Sequence, residues 1–385
     1  MFVALLFFTS LFLAYWNGAN DNFKGIATLY GSKTVSYRTA ITLATLATFA
    51  GSISALFLAN GLVAIFSGKG LVPQDIAGAT NFLMAVGAGA AFTVLLATRT
   101  GFPVSTTHSL VGGLVGAGLM AIGSDVNFQQ LGHAFFIPLL ISPFVAFMLA
   151  GVFYWTFTCI RRGMNITKET CLCVGKPRQL IPITNQSGVY TKDACPSWKN
   201  NRALSSPELS ITIGESNDCV EIYTDKVFGV YLQKLLDIAH GLSAITVSFA
   251  RGLNDTPKIA GLLVAAKMLD IRWGMIAIAM GMAVGGLLNA RRVAETISNK
   301  ITDLNHGQGF SANLVTGLLV IFASKFGVPV STTHVSVGSI FGIGVVTGNR
   351  NADMIRNILL AWLITLPVAI IFSALAYSLI DLFYQ

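Results

Sequence analysis

Apolar residues run for membrane-crossing lengths at 38–66, 77–99, 132–160, 273–290 and 354–384, with few charges inside them. A helix needs about 20 such residues to cross the hydrocarbon core of a bilayer. The short alternating segments of a transmembrane barrel are not seen. The pattern predicts an all-α polytopic membrane protein of roughly 10–12 helical pieces. The opening "MFVALLFFTSLFLAYW" lacks a basic n-region and an A-x-A-like cleavage site, so it reads as a retained first span. One stretch, 161–226, breaks the pattern, being polar and rich in Lys, Asn, Ser and Thr. It divides the chain into a first membrane repeat at 1–160, a connecting loop or small insert at 161–226, and a second repeat at 227–385. Within the insert, "LSITIG" and "CVEIYT" suggest short strands, as in a hairpin.

Two polar motifs interrupt the apolar runs, and each occurs twice. "NGANDNFKGIA" (17–27) and "RGLNDTPKIAG" (251–261) share G-x-N-D-x-x-K at an offset of 234 residues (254 less 20). "GFPVSTTH" (101–108) returns as "GVPVSTTH" (327–334) at an offset of 226 (327 less 101). In hydrocarbon every backbone N–H and C=O must be paired, and irregular backbone survives only when buried in protein or lining a wet cavity. Gly18, Asn20, Asp21 and Asn22, and again Gly252, Asn254, Asp255 and Pro257, therefore predict two broken helices. Pro257 suits the first turn of a second half-helix, where its missing N–H costs nothing. Gly101 and Pro103 stop one helix, and Ser105, Thr106 and Thr107 start the next with hydroxyls and free N–H groups. Such a terminus attracts anions. Two of them, from pseudo-symmetric halves, make two walls of one polar site, a plan that recurs in transporters. The expected fold is two inverted repeats with discontinuous helices and re-entrant-type hairpins.

Hydroxyls and N–H groups suit a tetrahedral oxyanion. Arg99 and Lys325, six residues before each serine, either add positive field or snorkel at a membrane edge. Asp21 and Asp255 carry the sharper message, because an ionisable group inside a span is functional by default. Two carboxylates repel an anion unless cations or protons lie between. That is the electrostatic form of a symporter, with carboxylates, Asn oxygens and freed carbonyls holding Na+ or accepting H+. A buried Asp acceptor also favours hydrogen phosphate, which can donate a hydrogen bond, over sulfate, which cannot. His108 and His334 are either proton carriers or structural groups that cap or bridge the hairpin, and their place inside the following helices rather than at the tips favours the second. Gln308, Ser311 and Asn313 in "GQGFSANL" are cation ligands or an N-cap, and Arg291 with Glu295 reads as a helical ion pair.

Composition narrows the classes. The chain is 54% hydrophobic and 11% charged, against about 25% charged in soluble proteins. Its net charge of +8 flanks the spans and forms no basic stretch with interleaved aromatics, so no nucleic-acid partner is expected. Cys171, Cys173, Cys195 and Cys219 do not match zinc spacings and all five histidines lie outside the insert, so no cofactor is expected. An enzyme is not expected either, since Ser105 and His108 lack a third orienting group in the sequence.

The motifs "GANDNFKG", "GLNDTPKI", "GFPVSTTH" and "GVPVSTTH", with "GQGFSAN" and "RRVAETI", resemble the inorganic phosphate transporter (PiT) family. The resemblance implies an inverted-repeat fold, often dimeric, that carries phosphate with Na+ or H+. It implies that Asn20, Asp21, Asn254 and Asp255 serve cations and substrate, with Na+ in the region of Asp21 and Asp255. Ser105, Thr106, Thr107, Ser331, Thr332 and Thr333 would cradle phosphate, with Asp21 and Asp255 beside it. Asn313 stands where many members have a carboxylate or amide, and is taken with the cation ligands. The expected function is secondary active phosphate transport by alternating access, as a homodimer in the bilayer of the plasma (inner) membrane. The competing readings are a sulfate permease on the same fold and a non-transporting phosphate-binding membrane sensor.

Overall fold

A computed structural model describes residues 2–32, 34–167, 170–175, 210–215, 228–266, 270–300, 304–348 and 352–384. The chain forms two compact units, Met1–Thr158 with Ala239–Gln385, and Cys159–Ile238. The major helices are α1 (Phe2–Asp21), α2 (Tyr37–Leu58), α3 (Thr80–Thr100), α4 (Thr106–Ile122) and α5 (Ile137–Gly163), followed by α6 (Leu232–Ala265), α7 (Ile271–Asn289), α8 (Arg291–Lys300), α9 (His306–Lys325), α10 (Thr332–Thr347) and α11 (Ala352–Tyr384). Among the described residues, eight helical stretches are long and apolar enough to cross a membrane. The outer faces stay apolar: Leu140, Phe144, Met148 and Trp155 of α5 are exposed, as are Leu363, Leu375 and Leu379 of α11. Helices apolar on both faces belong in lipid.

In lipid the hydrophobic effect does not drive helices together, so close backbone contact and internal polar bonds must do so. The glycines supply the contact. A β-carbon at Gly18 would lie 2.0 Å from the Met282 carbonyl oxygen, and one at Gly285 would lie 1.8 Å from that of Tyr15, so α1 and α7 touch backbone to backbone. The same pair recurs 234 residues on. A β-carbon at Gly252 would lie 2.0 Å from the Thr48 carbonyl oxygen and one at Gly51 would lie 1.9 Å from that of Phe249, joining α6 to α2. Gly112 and Gly116 of α4 seat α11, while Gly338 and Gly342 of α10 seat α5. Each half therefore packs its helices onto the other half, and the contacts repeat under the sequence offset.

The hairpins α3–α4 and α9–α10 are built alike. Gly101 (φ +77°) and Gly327 (φ +70°) take the left-handed conformation that ends their first helices. The Phe102 N–H reaches back to the Ala97 carbonyl at 2.9 Å and the Val328 N–H to the Ala323 carbonyl at 2.8 Å, the helix-stop bond that glycine allows. Ser105 and Ser331 then cap α4 and α10, accepting the N–H of His108 and His334.

The two Asn-Asp segments part from expectation in one respect. α1 stops at Asp21 and is followed by a 3-10 turn, Lys24–Ile26, and a short helix, Ala27–Gly31. The second copy is not broken, since α6 runs through Asn254 and Asp255 with Pro257 inside it. Proline forbids only the single bond to Leu253. Lys258 and Arg251 lie one turn either side of Asp255 and pair with it along the helix. The carboxylate finds its partners without unwinding. In the first copy Gly25 replaces Ile259, and its lack of a side chain admits Ser248, whose Oγ would sit 2.4 Å from a β-carbon there.

The second unit holds β1 (Thr170–Gly175), β2 (Ser210–Glu215) and β3 (Phe228–Tyr231) in an antiparallel sheet of order β2-β1-β3. "LSITIG" does become a strand, but its partner is β1, with Thr170 opposite Glu215. "CVEIYT", Cys195 and Cys219 lie outside the described residues.

The glycine contacts generate a test. Gly285→Val forces a side chain into the Tyr15 backbone and is expected to destabilise by about 1–3 kcal/mol or more. Gly241, where an added β-carbon would meet nothing within 4 Å, accepts alanine without loss. Melting of the two purified variants in detergent, read by size-exclusion chromatography, separates them.

Candidate functional site

The buried polar residues gather where the Asn-Asp segments meet the hairpin tips. Asn17, Asn20, Asp21, Lys24, Arg251, Asn254, Asp255 and Lys258 are all buried. A buried charge is tolerable only when paired and hydrogen-bonded, and here the pairing is internal. Lys24 Nζ pairs with Asp21 and donates to the Val104 carbonyl at 2.6 Å and to Thr333 Oγ1 at 2.6 Å. Lys258 Nζ donates to Asp255 at 3.4 Å, to the Val330 carbonyl at 2.6 Å and to Thr107 Oγ1 at 2.7 Å. These two sets are the same set displaced by the sequence offsets. Each lysine sits on one half and grips both hairpin tips, taking a carbonyl from its own half and a hydroxyl from the other.

The asparagines fasten the tips. Asn20 donates to Thr98 Oγ1 at 3.1 Å and to the Phe102 carbonyl at 3.0 Å, and accepts the Val104 N–H at 3.1 Å. Asn254 donates to the Val330 carbonyl at 3.2 Å and accepts the Ser324 hydroxyl at 3.2 Å. Thr106 Oγ1 donates to Asp21 Oδ2 at 3.2 Å and accepts from Asn17 at 2.9 Å. Asn17 also reaches Asp255 at 3.4 Å, so the two carboxylates share one amide. Arg251 completes the centre, with Nη2 donating to Asn17 at 3.2 Å and Nη1 to Asn22 at 3.1 Å. His108 and His334 meet with ring centroids 4.4 Å apart, and His108 Nδ1 lies 3.0 Å from Ser105 Oγ.

The structure thus brings together Asn20, Asp21, Thr106, Thr107, Asn254, Asp255 and Thr333. Ser105 and Ser331 are at the tips too, but their hydroxyls cap α4 and α10. Thr332 is buried in the first turn of α10. Asn313 stands apart from the carboxylates and donates to Thr28 at 2.8 Å. It lines, with Lys24, Thr28, Thr316 and Thr333, a cavity of about 30 Å³. That is room for at least one water. Arg99 and Lys325 end α3 and α9 with exposed side chains, the snorkelling alternative. Arg291 pairs with Glu295 at 3.0 Å on the surface, and Gln308 forms a capping box with Asn305.

Sequence reasoning misses the three cations at the centre. The lysines stand inside the repeated G-x-N-D-x-x-K, three residues after each aspartate, but the charge pattern alone presents them as loop charges. Helical spacing of i,i+3 is the signal that could place them on the carboxylates. Nothing in the sequence marks Arg251 or Asn17, which occupy equivalent positions (251 less 17 is again 234) yet differ in chemistry.

Residues 17–373 match the family described as the phosphate transporter family. A protein of Arabidopsis thaliana named "Inorganic phosphate transporter 2-1, chloroplastic" is 28% identical over 94% of this chain and 70% of its own length. A solved structure entitled "The sodium-dependent phosphate transporter" superposes with a TM-score of 0.74, covering 99% of both chains at 21% identity, a likeness of fold.

Removing one lysine leaves a buried carboxylate without its counter-ion. Lys24→Ala is expected to lower stability by about 3–5 kcal/mol. Adding Asp21→Ala should return part of that loss, because the stranded charge goes too. Thermal melts of the single and double variants measure both.

Proposed function

Because the chain belongs to the phosphate transporter family, we propose that it carries inorganic phosphate across the membrane by alternating access, symported with Na+ or H+. The observation that carries this reading is the reciprocal clasp. Two ammonium groups and two threonine hydroxyls meet in two buried pairs, each joining a lysine of one half to the hairpin tip of the other, where Ser105 and Ser331 cap the helix starts. Charged N–H donors and hydroxyls of this kind suit phosphate oxygens. The names of the Arabidopsis relative and of the structural neighbour point to the same anion.

Phosphate would take over the lysines' bonds to the Val104 and Val330 carbonyls. The lysines' bonds to the Thr333 and Thr107 hydroxyls hold each tip against the other half, so their exchange for phosphate as well would let one tip part at a time. Residues 1–160 and 227–385 would act as the two inverted repeats, with 161–226 as their connector. Thr106, Thr107, Thr332 and Thr333 would face the anion, and Ser105 and Ser331 would hold the helix starts in place. Asp21 and Asp255 would accept hydrogen bonds from phosphate, which sulfate cannot offer. A homodimer in the plasma (inner) membrane is the working assembly.

Radiolabelled phosphate uptake into proteoliposomes tests the reading. Uptake should resist excess sulfate. Thr107→Val and Thr333→Val each remove a hydrogen bond to a charged group, worth about 1.5–3 kcal/mol, and should slow uptake roughly ten- to a hundredfold. Equal competition by sulfate, or uptake untouched by both substitutions, would overturn it.

A further inference from the structure

We propose that Lys24 and Lys258 are built-in counter-ions standing in the positions a transported sodium would take, so that this chain carries phosphate without sodium. The inference rests on the phosphate reading above and deepens it.

A hard cation is held by oxygens with lone pairs to give. The oxygens available at this centre are those of Asp21 and Asp255, then the side-chain oxygens of Asn20 and Asn254. Each already receives a donor from the protein. Asp21 Oδ1 takes the Lys24 ammonium, and Oδ2 takes Asn17 and Thr106, both at 3.2 Å. Asp255 Oδ1 takes Asn254 at 3.0 Å and Lys258 at 3.4 Å. Its Oδ2 faces Asn17 at 3.4 Å and Arg251 at 3.7 Å. The Asn20 oxygen accepts the Val104 N–H and the Asn254 oxygen the Ser324 hydroxyl. Four of the residues expected to hold sodium, Asn20, Asp21, Asn254 and Asp255, are therefore engaged by ammonium, guanidinium, amide and hydroxyl groups that are tethered to the chain, while the fifth, Asn313, stands apart from the carboxylates and donates to Thr28. They do not fit a sodium site as they stand. An ammonium on a side chain is a cation that cannot leave with the cargo.

Charge arithmetic leads the same way. Lys24, Lys258 and Arg251 bring three formal positive charges against two carboxylates. A surplus of one positive charge in a buried site matches a singly charged anion. A doubly charged phosphate would need one more cation. A proton meets that need without a coordination cage, because it rides on the phosphate itself and can be donated to a carboxylate. Sodium would first have to displace a lysine.

The test is phosphate counterflow in proteoliposomes loaded with unlabelled phosphate, in sodium chloride or in choline chloride of equal strength on both sides. Counterflow needs no ion gradient, so it reports whether the chain carries phosphate at all. The expected rates agree within about twofold in the two media. A tenfold or greater fall in choline would overturn the inference while leaving the phosphate reading intact. No counterflow in either medium would overturn the phosphate reading, and this inference with it. The lysines are tested separately by melting. Sodium should leave the melting temperature of the parent unchanged relative to choline, and should raise that of Lys24→Asn with Lys258→Asn, whose cation positions are vacated. Either single substitution gives the same readout if the pair does not fold. A variant as indifferent to sodium as the parent would show that the lysines do not occupy those positions.

Discussion

The rest of the membrane unit depends on the pairing of Lys24 and Lys258 with two aspartates and two hairpin tips. Charges inside a span carry a desolvation cost that only close partners offset. The chain meets it by splitting the partners between its halves. Lys24 holds Asp21 of its own segment but ends on Thr333 of the other half, and Lys258 does the reverse with Asp255 and Thr107. Each lysine has its counter-ion in its own half, and its hydrogen-bond set is completed only by a hydroxyl of the other.

The backbone packing follows the same logic of exchange. Glycines at 18, 51, 252 and 285 bring α1 against α7 and α6 against α2, and those at 112, 116, 338 and 342 seat α11 and α5. Where α-helices touch backbone to backbone, carbonyls and side-chain hydroxyls come within reach across the contact, as when Thr48 Oγ1 donates to the Ser248 carbonyl at 3.1 Å. Small residues thus set the spacing that lets the polar centre close. The unit thus carries two equivalent clasps, one at each hairpin tip.

The symmetry is broken at one place that matters. Asn17 and Arg251 occupy matching positions and meet each other, so a neutral amide in one repeat bonds the guanidinium of the other. This single difference turns a balanced set of two lysines and two aspartates into a centre with one positive charge to spare.

The apolar runs by themselves determined the membrane class and most helix positions, because hydrocarbon admits little besides helices and leaves long uncharged runs in the sequence. The doubled motifs likewise marked the hairpin stops at Gly101 and Gly327, since a left-handed residue before a capped helix is a local demand. They also singled out Asp21, Asp255 and the threonines, whose polarity is out of place in a span. What the sequence did not settle was every question whose answer lay on the other half of the chain. Whether Pro257 breaks α6 was decided by partners that Asp255 finds along a continuous helix. Which hydroxyls face the centre was decided by capping, which takes Ser105 and Ser331 and leaves Thr107 and Thr333. That the lysines meet the opposite hairpin, 309 residues away for Lys24 and Thr333, was decided by tertiary packing alone. Local geometry is written in neighbouring residues, whereas the balance of buried charge is fixed only when distant segments are brought within bonding distance.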